Sequence, residues 1–173
     1  YLTTGTLDIG STTRTLTIDK VSANSVGLSP LLATLNISAL ITGSGTAGLI
    51  KDGDGLLQLS AQNRFPGGVT VNSGGLIIGG SSTPSIVGAA LTSGPLGTGT
   101  LTMAANTTRI STAAANTLAN KVIFNGDITF NGVPNLTLNG ETTFGSATTN
   151  VTVTAPAMVA TLGGKFTNAG ALT

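Results

Sequence analysis

The chain of 173 residues contains no cysteine, no histidine and no tryptophan. Each absence closes a class of chemistry. Without Cys there is no disulfide and no thiol nucleophile. Without His there is no Ser-His-Asp triad, and the two absences together remove the usual zinc sites. Aromatic residues make up 3% and charged residues 8%, the latter against roughly 25% in an ordinary soluble domain. Net charge is +1, with seven basic residues scattered along the chain. No Lys/Arg block can neutralise a run of phosphates, and no aromatic platform can stack bases, so nucleic acid is not an expected partner. No apolar run reaches the roughly 18 residues of a membrane span, so no membrane insertion by this segment is expected. The lack of Cys also suits a surface protein that must stay unfolded until its export is complete. The opening YLTTGTLDIG is already strand-like, with neither an initiator Met nor a basic leader, and reads as part of something longer.

What is present is a neutral, apolar, turn-rich sequence. Hydrophobic residues make up 40%, and there are 25 glycines; mean hydropathy is +0.39. Apolar periodicity is close to two in TLDI (6–9), RTLTID (14–19), ATLNISALI (33–41), LLQL (56–59), VTVN (69–72), TLTM (100–103), KVIF (121–124), DITF (127–130), NLTLNG (135–140) and NVTVTA (150–155). Thr, Val and Ile suit pleated, half-buried surfaces. The intervening Gly-Gly, Asn-Gly, Asp-Gly and Ser-Gly supply tight corners. STAAANTLAN (111–120) has alanines enough for a turn or two of helix, but its flanks are β-type and it reads as coil or strand.

Short strands at this spacing admit an antiparallel β-sandwich or a parallel solenoid. Asn125-Gly126, set between alternating runs, is a hairpin signal and the best support for the sandwich. A sandwich, however, usually carries Trp or Tyr anchors and a charged exterior, and this chain has one Tyr and little charge. A solenoid needs neither, because stacked coils bury Val, Ile and Leu in columns and ladder Thr, Ser and Asn outside. The expected fold is therefore all-β, a parallel β-helix over 1–173. At about 20–25 residues per coil it makes roughly seven or eight coils. An echo between GTLDIGSTTRTLTID (5–19) and GETTFGSATTNVTVT (140–154) suggests an internal repeat, lengthened in its first copy by an insertion at 21–32. That insertion and the loop at 81–95 are expected to project sideways.

Little in the sequence promises chemistry. Asp52 and Asp54 in KDGDG are the nearest approach to a metal site, yet Ca²⁺ takes six to eight oxygens and an Asp/Gly corner explains them better. The six acidic residues are Asp8, Asp19, Asp52, Asp54, Asp127 and Glu141. A glycosidase usually needs a carboxylate pair across a sugar; stacking could bring Asp127 and Glu141 onto neighbouring coils, but their spacing does not require it. No catalytic residue and no cofactor is expected. Phe65, Phe124, Phe130, Phe144 and Phe166 read as core rather than as an exposed ligand stripe.

The stretch GLIKDGDGLLQLSAQNRFPGGVTVNSGGLIIGG (48–80) is more specific. Leu49, Lys51, Gly53, Gly55, Leu57, Leu59, Ser60, Asn63, Gly67, Gly68, Val71, Gly74, Leu76 and Gly79 fall where the passenger-associated repeat of autotransporters places the same residues. Ala61, Phe65 and Val69 depart mildly from it. The stretch closely resembles that repeat. The resemblance implies a right-handed parallel β-helix, exported to the surface of a Gram-negative cell or released from it, in which the repeat serves transport and folding rather than catalysis. The expectation is a non-enzymatic stalk or scaffold segment of a large secreted or cell-surface bacterial protein, supporting adhesion or surface assembly. Its partners would be copies of itself or neighbouring repeats, with a surface glycan or a host-cell ligand as the external candidates. The alternatives are a filament, sheath or phage-fibre subunit, with a virion location, and a polysaccharide-acting β-helix enzyme.

Overall fold

The computed structural model describes residues 3–23, 26–27, 32–104, 108–146 and 149–168. In a strand of three residues the outer two side chains point one way and the middle one the other. Here the outer two point inward: Val122 and Phe124 are buried and Ile123 is half-buried, a pattern repeated at Leu136–Leu138 and Thr142–Phe144. Each short run is therefore one side of a coil, and the Gly- and Asn-rich clusters between runs are its corners.

Successive coils stack in parallel register on three faces. Face one holds β2 (Arg14–Thr17), β7 (Leu49–Asp52), β9 (Val69–Val71), β11 (Leu101–Met103), β14 (Val122–Phe124), β17 (Thr142–Phe144) and β20 (Phe166–Asn168) in one seven-stranded sheet. Face two holds β5 (Leu35–Ile37), β8 (Leu56–Leu59), β10 (Gly75–Ile78), β12 (Thr108–Thr112), β15 (Ile128–Phe130) and β18 (Val151–Val153). Face three is split into two blocks. The first pairs β1 (Thr6–Asp8) with β6 (Leu40–Thr42); the second stacks β13 (Asn116–Leu118), β16 (Leu136–Leu138) and β19 (Ala160–Leu162). The chain visits faces one, two and three in turn and climbs one step per circuit, a parallel β-helix, right-handed as crossovers between parallel strands are. Among the described residues only β3 (Ser22–Ala23) and β4 (Val26–Gly27) pair as antiparallel strands. The sandwich is excluded: Asn125-Gly126 joins β14 on face one to β15 on face two, a corner rather than a hairpin.

The undisturbed coil is 20 residues long, as from Val122 to Thr142 or from Leu49 to Val69. Leu101 to Val122 takes 21 residues and Thr142 to Phe166 takes 24, and two circuits are longer still. Arg14 pairs with Leu49, the intervening β3 and β4 lying outside the stacked sheets, and Val69 pairs with Leu101 because 81–95 leave the coil. Within the insertion at 21–32, positions 24–25 and 28–31 lie outside the described residues. Six steps of about 4.8 Å give face one a length of about 29 Å.

The interior is a set of side-chain columns. On face one Leu49, Val69, Leu101 and Val122 lie over one another, beside Lys51, Val71, Met103, Phe124 and Phe144. Face two contributes Leu57, Leu76, Ile110 and Phe130. Each fully buried Leu, Val or Phe is worth roughly 1.5–3 kcal/mol relative to exposure, and the shared register adds a backbone ladder to every contact. Phe124 meets Phe144 at 5.7 Å between ring centroids and Phe130 edge-on at 6.3 Å. Phe65, Phe124, Phe130 and Phe144 are core, as expected; Phe166 stacks on Phe144 but is 48% exposed, because no further described coil covers it.

Two sequence expectations change, and a third, left between coil and strand, resolves as strand. The run 33–41 is two strands, with a corner at Ser38-Ala39. STAAANTLAN supplies the end of β12 and all of β13; parallel pairing to β10 and β16 overrides the alanines' helical preference. The echo between 5–19 and 140–154 is out of phase with the coils, since β1 lies on face three whereas β17 lies on face one.

Candidate functional site

The repeat-like stretch 48–80 builds one coil and most of the next. Leu49, Leu57, Leu59, Val71 and Leu76 point inward and are buried. Gly53, Gly55, Gly67, Gly68, Gly74 and Gly79 occupy corners where the neighbouring coil's backbone approaches. Lys51 is the unexpected member. It occupies an inward position of β7 beside Val71 and is fully buried. Its Nζ donates to the carbonyls of Asp52 (2.9 Å), Gly53 (2.6 Å) and Ser73 (3.2 Å). Because Ser73 belongs to the next coil, the ammonium clips two successive corners together. Desolvation lowers its pKa, and the nearby carboxylates of Asp52, Asp54 and Asp19 oppose that shift. Replacing Lys51 with Met keeps the apolar stem but removes the donors. The expected result is a loss of about 2 kcal/mol in chemical denaturation, the scale of charge-assisted hydrogen bonds.

Asp52 and Asp54, the weak metal candidates, have other engagements. Asp52 accepts from Asn72 Nδ2 at 2.8 Å, and Asp54 pairs with Lys20 at 3.3 Å. Among the described residues no three His, Cys, Asp or Glu side chains are grouped to hold a metal ion. Asp127 and Glu141 are not brought together either. Asp127 lies at the corner leading into β15, between faces one and two; Glu141 lies at the opposite edge of face one, leading into β17. Asp127 accepts from the backbone and side-chain nitrogens of Asn150, bonds that lower its pKa. Glu141 accepts from the Thr167 hydroxyl and pairs with Lys121 at 3.3 Å, which lowers its pKa in turn. Each of these four acids is held by its own corner.

The most developed polar construction lies where face three is interrupted. Asn63 is fully buried; its backbone pairs both ways with Gly94 at 2.9 and 3.1 Å. Its Oδ1 accepts from Ile41 N at 2.7 Å and its Nδ2 donates to Pro95 O at 2.7 Å. One amide thus stands in for the strand that face three lacks at this level. Ser82 does the same one step on, its backbone N donating to Thr117 O and its Oγ accepting from Ala119 N. Asn120, also fully buried, donates to Gly97 O and Gly99 O, and Asn139 donates to Ser85 O at 2.7 Å. The excursion at 81–95 is closed at its base by the Thr83–Ser93 bridge and anchored to Gln62, whose Oε1 accepts from both hydroxyls. Asn63 was legible as a repeat position. Ser82, Asn120 and Asn139 were not, since a lone Asn or Ser in a chain rich in both gives no signal.

Fold and site together define a parallel β-helix whose polar interior residues bind its own backbone. No family model matches the chain, and searches of curated proteins and of solved structures give no match.

Proposed function

We propose that this chain is a non-enzymatic β-helical stalk or scaffold segment of a large secreted or cell-surface bacterial protein of autotransporter-like kind, holding adhesive or assembly surfaces away from the cell. The observation that carries this reading is the filled interior. Face one runs unbroken through seven coils, and the buried Lys51, Asn63 and Asn120 spend their hydrogen bonds on neighbouring coils. Such a ladder gives a protease little flexible backbone to engage. The test joins native-state proteolysis to a polysaccharide depolymerisation screen. Expected are slow cleavage by nonspecific proteases, confined first to the excursion at 81–95, and no released sugar. Rapid cleavage within the stacked strands, or sugar release that disappears in Asp127→Ala or Glu141→Ala, would sink the proposal.

A second reading, the subunit of a filament, sheath or phage fibre, is favoured by the two ends of the stack. At one end Leu7, Leu16, Ile37 and Ile41 line an open hollow of about 270 Å³. At the other, Val151, Val153 and Phe166 are 44%, 45% and 48% exposed. Sedimentation across a hundredfold range of concentration separates the two readings: rods that lengthen with concentration support the filament, and a constant monomer supports the stalk.

A further inference from the structure

The tip of the excursion at 81–95 is open to an outside enzyme. Ile86 and Val87 are 64% and 57% exposed, and Gly88 and Ala90 are exposed beside them. Among the described residues the only backbone hydrogen bond within 84–91 is a long one, from Ala89 N to Ile86 O at 3.4 Å. A protease draws its substrate out as extended backbone, so it cuts where few bonds must be given up. The tip is also chemically selective. No residue from Phe65 to Thr108 is charged, and the next aromatic residue after Phe65 is Phe124. Enzymes that read Lys, Arg or an aromatic ring find no bond there, whereas the run Ile-Val-Gly-Ala-Ala-Leu (86–91) offers small aliphatic side chains.

A cut at the tip would not release either half, because the chain before it is bonded to the chain after it on every face. On face one β9 pairs with β11, setting Val69 beside Leu101 and Val71 beside Met103. On face two β10 pairs with β12, setting Leu76 beside Ile110. On face three Ser82 N donates to Thr117 O at 2.9 Å, and Ser82 Oγ accepts from Ala119 N at 3.1 Å. Asn63 binds Gly94 and Pro95, the Thr83–Ser93 bridge closes the base, and Asn139 holds Ser85 O. The join is thus a whole coil-on-coil contact, a backbone ladder with buried apolar columns behind it. We infer that the tip is a processing site. An endopeptidase whose specificity pocket takes a small aliphatic side chain hydrolyses one bond between Val87 and Leu91. Water gives its hydroxyl to the carbonyl carbon and a proton to the departing nitrogen. The rod persists as two chains held without a covalent link, with a new carboxylate and a new ammonium on a segment that carried no charge.

The whole chain is treated with pancreatic elastase under native conditions, and the cut bond is located by intact-mass spectrometry. The expected first product is a pair of pieces divided between Val87 and Leu91. They should elute together on native sizing, stay together through about a hundredfold dilution, and separate only in denaturant. V87R supplies a trypsin site at an exposed position. Trypsin should cut that variant at the tip at least about tenfold faster than at its other Lys and Arg residues, and should leave the tip of the parent intact. A first elastase cut elsewhere overturns the inference, as does V87R cut no faster at the tip than elsewhere. Pieces that part on dilution after a clean cut at the tip also overturn it, since the coil-on-coil contact then fails to join them. That last outcome leaves the stalk reading standing, whereas rapid cutting within the stacked strands sinks the stalk reading itself.

Discussion

Asn63→Ala is expected to lower stability by about 3–5 kcal/mol, measured by chemical denaturation. The change strips partners from Ile41 N–H and Pro95 C=O, both bonded at 2.7 Å inside the helix. Each buried group left unsatisfied costs about 1–3 kcal/mol, and the space left by the amide adds to that. Asn63→Leu separates the two contributions. Leucine fills the volume yet offers no hydrogen bond, so a loss as large as that of alanine assigns the effect to the polar bridge. Full recovery by leucine would mean that Asn63 is only a spacer. Because the bridge holds Pro95, hydrogen exchange in Asn63→Ala should quicken first at the amides of position 63, Gly94 and Gly97, before the strands of face one.

Gly68→Ala is expected to be at least as damaging, and for a different reason. Gly68 has φ of +72°, in the left-handed region that costs an L-residue roughly 1 kcal/mol or more. A Cβ there would also lie 2.1 Å from Thr100 O and 2.6 Å from Thr100 N in the next coil. Since Val69 N donates to that same Thr100 O at 3.0 Å, relieving the clash means pulling apart two coils where they are bonded. The expected outcome is a loss above about 3 kcal/mol, or failure to fold in isolation. A control at Gly88, which also has positive φ but has nothing within 4 Å of the place a Cβ would take, should show the backbone penalty alone. Equal effects at the two positions would refute the crowding argument.

The sequence disclosed the coils better than the contacts between them. Period-two runs such as VTV and LTL survive in a three-sided coil because each side is short enough to show one inward-outward-inward cycle, and glycine dipeptides mark the corners. The 33–41 run misled because its corner at Ser38-Ala39 uses neither Gly nor Pro. Lys51 reads from sequence only as a repeat position. Only the ladder, which sets it beside Val71, reveals a cation turned into the helix with three carbonyls around its head. The gap in face three was equally hidden: where Asn63 and Ser82 replace strands with side-chain hydrogen bonds, hydropathy carries no trace of the ladder.

The closed base of the 81–95 excursion has a consequence for how such a rod can change. Thr83 and Ser93 bridge to each other and both hydroxyls rest on Gln62, so the chain leaves and re-enters the stack through a single clasp. What lies between those two residues is held at this clasp and by the Asn139 bond to Ser85 O, while faces one and two continue past it without a break. Mutation can therefore lengthen, replace or decorate that segment without renegotiating the packing of the shaft, and the rod can vary what it displays while inheriting its core unchanged.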